Sequence, residues 1–135
     1  MSSIWRGYGS AIFLEFGQLS STRGGDSTKG NPVGEFTIMF EWSWRIESQT
    51  AILTGSSSDE KEWETIFKSI IGQTVSDITL FGRLPELSIT LSGDRYLVSF
   101  ITADGQPAWT LFRRGDDDTN FPAISVADGV IVTIA

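Results

Sequence analysis

Carboxylates are the side chains of this 135-residue chain with the best claim to chemistry, because the chain contains no histidine and no cysteine. Without histidine there is no Ser-His-Asp or Cys-His arrangement, no histidine-based zinc site, and none of the commonest general base that titrates near neutrality. Without cysteine there is no thiolate nucleophile, no cysteine-held zinc and no disulfide framework. What is left for acid–base work is a pair of carboxylates. Glu15, Glu41, Glu47 and Glu86 all fall in or beside strand-like segments, where two of them meeting across a sheet would have the acid and base of glycoside hydrolysis. The plainer reading places them on solvent faces in cross-strand ion pairs with Arg45, Arg83 and Arg95, each worth a fraction of a kcal/mol.

The run Asp116-Asp117-Asp118 offers consecutive hard oxygens, as a calcium site would. It lacks the alternating ligands, the glycine and the distal glutamate of an EF-hand loop, and no metal is expected. It reads either as a solvated turn or as an acidic contact for a basic partner. Asp59, Glu60 and Glu62, clustered before an apolar stripe, are the other acidic patch with contact potential. Trp5, Trp42, Trp44, Trp63 and Trp109 could build a sugar-stacking platform, but all except Trp5 lie in apolar stripes and read as core. The glycines Gly24, Gly25, Gly30 and Gly34 around Lys29 do not have phosphate-loop spacing, so no nucleotide cofactor, or any other, is expected.

Seventeen acidic against ten basic side chains give a formal charge of −7, which disfavours nucleic acid and anionic membranes and attracts a basic protein. No segment approaches the roughly 18 apolar residues of a membrane span, and Met1 to Arg6 lacks a signal-peptide core. A cytoplasmic protein is expected, folded as a single domain over 1–135.

These side chains must be held by a mostly β scaffold. From Glu35 to Glu47 every even position is large and apolar: Phe36, Ile38, Phe40, Trp42, Trp44 and Ile46. That period of two predicts one long spine strand with a single buried face. Ala11 to Phe16 predicts a strand before it, and Thr50 to Thr54 a hairpin partner after it. Trp63, Ile66, Phe67, Ile70 and Ile71 then recur at helical spacing, predicting an amphipathic helix over about 58–71, capped by Ser57 or Ser58 and stopped at Gly72.

Strands follow at Val75 to Phe81, Glu86 to Leu91, Arg95 to Thr102, Ala108 to Phe112, Ala123 to Val126 and Val130 to Ile134, with hairpin turns at Gly93-Asp94, Asp104-Gly105 and Asp128-Gly129. Ser20 to Gly34 and Arg113 to Pro122 are loops. The expected class is α+β, predominantly β: an antiparallel meander sheet or half-barrel with one amphipathic helix packed on it.

The segments Glu41-Trp42-Ser43-Trp44-Arg45-Ile46-Glu47, Gly55-Ser56-Ser57, Phe81-Gly82-Arg83-Leu84-Pro85-Glu86-Leu87, Ser99-Phe100 and Gly105-Gln106-Pro107-Ala108-Trp109 carry a resemblance. Over roughly Phe36 to Phe112 the chain resembles a family of small bacterial proteins with no assigned enzymatic activity. The resemblance implies an immunity-type protein that binds and neutralises a cognate toxin, and it brings no catalytic residue with it. Physically, Trp42, Trp44 and Trp109 read as core, while Arg45 with Glu47 and Arg83 with Glu86 are expected to lock the spine to the meander. The alternatives are a self-associating module, with the spine or the final strand pairing edge to edge in a homodimer, and a carboxylate enzyme acting on a glycan.

Overall fold

The computed structural model describes residues 1–20, 31–105, 107–114 and 122–134. Most of the Ser20 to Gly34 loop and the run Asp116 to Asp118 lie outside them.

The fold is α+β and predominantly β, with eleven strands among the described residues in two antiparallel sheets and one helix. Strands β1 (Ser3–Arg6), β2 (Ile12–Phe16), β3 (Phe36–Phe40), β9 (Trp109–Arg113), β10 (Ala123–Ala127) and β11 (Val130–Ile134) form a six-stranded sheet in that order. A five-stranded sheet runs β5 (Ile52–Gly55), β4 (Trp44–Glu47), β8 (Arg95–Ser99), β7 (Glu86–Leu91), β6 (Val75–Phe81). Helix α1 spans Glu60–Ile70.

The spine is therefore not one strand. The stripe from Phe36 to Ile46 is cut at Glu41 to Ser43, and its halves belong to different sheets. Phe40, Trp44 and Ile46 are nonetheless all fully buried, because both sheets turn their inner faces to one core and the alternation stays in phase through the corner. Two members of the stripe escape: Phe36 at its start and Trp42 at the corner are each 48% exposed, Trp42 against the expectation that it is core. The Ser10 hydroxyl donates to the Trp42 carbonyl at 2.7 Å, and the Trp44 indole Nε1 donates to the Ser10 carbonyl at 2.7 Å. These two bonds fix the corner.

The second chain crossing matches the first. β8 pairs with β4 and β9 with β3, so the segment between β8 and β9 also passes from one sheet to the other. Asp104-Gly105 is thus not the turn of a hairpin between Phe100 and Trp109. It lies in a crossing link, and the backbone N–H of Phe100 donates to Ser43 beside the first corner.

Helix α1 packs Trp63, Phe67 and Ile70 into the core, while Ile71 is exposed at its end. Trp63 meets Trp44 edge to face with ring centroids 4.9 Å apart, and its Nε1 donates to the Gly55 carbonyl at 2.9 Å. The N-cap is Asp59, whose carboxylate accepts from the Lys61 N–H at 3.0 Å. Ser58, an expected cap, instead accepts from the Gly55 N–H at 3.1 Å, so the local turn from Gly55 to Ser58 has taken its hydroxyl.

The expected turns at Gly93-Asp94 and Asp128-Gly129 are present, with one change of role. At Asp128-Gly129 both residues have positive φ, 51° and 75°, and Ala127 faces Val130, a two-residue turn of the I′ kind. At Gly93-Asp94 it is Asp94 that carries the positive φ. Gly93 is there for closeness: a Cβ on it would lie 2.7 Å from the Gln73 side-chain oxygen, which accepts from the Gly93 N–H.

Candidate functional site

Two turns and the crossing link enclose a groove of about 820 Å3. The β6–β7 turn supplies Leu84 and Pro85, and the β10–β11 turn supplies Asp128 and Gly129. They approach closely: a Cβ at Gly129 would lie 2.8 Å from Leu84 Cδ2, so a side chain there would displace the tip of the exposed Leu84 side chain. The Trp109 Nε1 donates to the Pro85 carbonyl at 3.2 Å and ties the β6–β7 turn to the other sheet.

The third wall is the link from Ile101 to Ala108, of which Gln106 lies outside the described residues. Glu86 holds its start. Its carboxylate accepts from the Ile101 N–H and, at 3.2 Å, from the Ser99 hydroxyl, which itself accepts from the Leu87 N–H at 3.0 Å. The expected Glu86–Arg83 ion pair is not among the described contacts, because both Glu86 oxygens have these nearer donors.

Leu84, Pro85, Ile101, Ala108 and Val126 give the groove an apolar floor, and the exposed Asp104 and Asp128 stand on its rim. No lysine or arginine is among the described lining residues; Arg83, exposed, is the neighbour of Leu84 in the turn. A cleft of this size with few polar groups suits a bound side chain or short segment, and the rim sets the sign of charge it prefers.

The acidic patches singled out in the sequence fare differently. Asp59 is engaged as the helix cap, and Glu60 pairs with Arg6 at 2.7 Å, while the Arg6 guanidinium lies 4.8 Å from the centre of the Trp63 ring. Glu62 is exposed in the first turn. The structure therefore leaves Glu62 the freest of this patch. Asp116, Asp117 and Asp118 lie outside the described residues.

The carboxylates considered for catalysis are held singly. Glu15 is fully buried on β2 and accepts from Trp5 Nε1 at 2.7 Å, from the Gly34 N–H at 3.0 Å and from the Thr37 hydroxyl. Glu47 pairs with Arg45 on its own strand, and the Arg45 guanidinium lies 5.2 Å from the Phe100 ring centre, a contact that does join the spine to the meander. Burial pushes the Glu41 carboxyl above its ordinary range. Trp5 stacks on Phe13 with ring centroids 3.9 Å apart, and Tyr8 is fully exposed.

Among the described residues no cluster of three or more carboxylates could hold a metal ion, and no helix is long and apolar enough to cross a membrane. The groove was not visible in the sequence. Asp104 and Asp128 each carry a turn signal, and nothing in their spacing says that the two turns converge. No protein-family model, curated protein or solved structure matches this chain.

Proposed function

We propose that this chain is a non-enzymatic binding protein whose partner is a basic protein, acting in the manner of a cytoplasmic bacterial immunity protein that neutralises a cognate toxin by covering it. The observation that carries the reading is the groove: an apolar floor with Asp104 and Asp128 on its rim, in a chain of formal charge −7. A partner side chain of Lys or Arg reaches the rim carboxylates while its apolar stem or neighbour fills the floor. The chain's negative field steers a basic partner toward it from beyond contact distance. Glu60, Glu62 and the run Asp116 to Asp118 add to that field. The resemblance to small bacterial immunity-type proteins supports the same reading, which needs no cofactor, metal, nucleic acid or membrane.

The test is co-expression with the products of neighbouring reading frames, followed by recovery of tagged protein at about 50 mM and about 500 mM salt, where screening lengths differ roughly threefold. The reading predicts a stoichiometric basic partner, released by the higher salt and lost from a variant carrying Asp104→Lys with Asp128→Lys. Retention of the same partner by that variant refutes the placement at the groove. Recovery of no basic partner by the wild type refutes the reading itself.

A further inference from the structure

The edges of the two sheets are unequally protected. β1 and β5 are four residues long, and β5 carries a register shift against β4 and lies next to helix α1; β11, five residues long, ends the six-stranded sheet with Val130, Ile131 and Val132 exposed on both of its faces. β6, at seven residues the longest strand, ends its sheet with nothing paired on its outer side among the described residues. Residues directly opposite in an antiparallel ladder share a face, and Ile78 stands opposite Ile89 while Leu80 stands opposite Leu87. Ile89 and Leu87 are core residues. Ile78 and Leu80 thus point to the core side of their sheet, yet they are about half exposed, as are Phe81 and the following Leu84. The apolar face of this sheet extends one strand beyond its cover.

Exposed edges are usually blunted by lysine, proline or a bulge. β6 has a register shift and one charge, Asp77, in its first half, and Ile78 to Phe81 has neither charge nor proline. We propose that this edge pairs with the same edge of a second copy, antiparallel and centred on Thr79. That register sets Ile78 opposite Leu80 of the copy, and Leu80 opposite Ile78, with Asp77 opposite Phe81 and the two Asp77 carboxylates apart. A two-fold axis normal to the sheet keeps both apolar pairs on one face, so each overhang covers the other.

The area fits a weak dimer. Covering the exposed parts of Ile78 and Leu80 removes roughly 150–200 Å2 per copy, about a quarter of the ~800 Å2 that a standard interface buries on each partner. Each copy also carries a charge of −7, so association is opposed at low salt and strengthened as salt screens it. The sign is opposite to that for a basic partner at the groove.

The chain has no cysteine, so Thr79→Cys introduces a single thiol. In an antiparallel pair the opposed Cα atoms are about 4.5–5.5 Å apart, within disulfide reach. Under mild oxidation the expected result is a disulfide-linked dimer forming at least tenfold faster than for the control Glu62→Cys, with that excess abolished by adding Ile78→Lys and Leu80→Lys. In sedimentation of the wild type, weight-average mass rises with concentration toward 1 mM and rises further with salt. Linking of Thr79→Cys no faster than the control, or a monomer mass throughout, overturns the proposal. Neither result alters the groove, so the two readings fail separately.

Discussion

Removing the Glu15 side chain should destabilise this fold more than any other loss of a single carboxylate. Glu15 is fully buried on the face of β2 that also carries Phe13, and three donors converge on it from three places: the Trp5 indole, the Gly34 backbone and the Thr37 hydroxyl opposite it on β3. Each bond to an ionised acceptor is worth about 1.5–3 kcal/mol. Desolvation of the carboxylate offsets much of that sum in the folded protein. Deleting the carboxylate nevertheless leaves three neutral donors without their acceptor, at about 1–3 kcal/mol for each that stays buried, or about 3–5 kcal/mol together once the partly exposed Trp5 finds water.

Glu15→Ala should therefore lower stability by about 3–5 kcal/mol, a fall in the urea midpoint of about 1.5–2.5 M if the slope is near 2 kcal/mol per M. Glu15→Gln keeps the volume and one acceptor oxygen but turns an amide N–H2 toward donors, and should cost less, about 2–3 kcal/mol. Thr37→Val in each background closes a double-mutant cycle with a coupling of about 1 kcal/mol or more. A cost below 1 kcal/mol for Glu15→Ala, with unchanged slope, would refute the argument that these three bonds organise β1, β2 and β3.

Three further outcomes follow from the same physics. Asp59→Ala should cost about 1 kcal/mol in urea denaturation, while Ser57→Ala should change stability by less than half of that, since Asp59 holds the cap. Trp42→Ser, at the exposed corner, should stay within about 0.5–1 kcal/mol of wild type, whereas Trp44→Ala should lose about 3–5 kcal/mol; equal losses would mean that the corner is misassigned. For Glu41, burial raises the folded carboxyl above its unfolded value, so the folded state holds the extra proton and this group's contribution falls as pH rises through that window. Glu41→Gln removes the fall, and its stability relative to wild type should rise between about pH 4 and pH 7; a constant difference would contradict the shift.

Local patterning carried much of this fold. Leu87, Ile89 and Leu91 alternate and are core; Trp63, Phe67 and Ile70 recur at helical spacing and are core; Asp128-Gly129 turns as its residues demand. The failures share one cause. Alternation reports which side of a strand is buried but not which sheet holds it, so a stripe kept in phase across a corner reads as one strand from Phe36 to Ile46. Ser57, Ser58 and Asp59 all have capping side chains; the turn that closes Ser58 back onto Gly55 occupies its hydroxyl, and Asp59 takes the Lys61 N–H. Glu86 has a basic neighbour in sequence, Arg83, but nearer donors in space. The groove is the extreme case: Leu84 and Gly129 are far apart in the chain, and no spacing rule connects them.

Amide hydrogen exchange of the protein alone and in complex with a basic partner recovered by co-expression tests the groove most directly. Slowed exchange is predicted at Leu84 to Glu86, at Ile101 to Gly105 and at Val126 to Gly129, with the helix from Glu60 to Ile70 unchanged. Protection confined to the helix start, or found only outside the two turns and the crossing link, would contradict the groove placement.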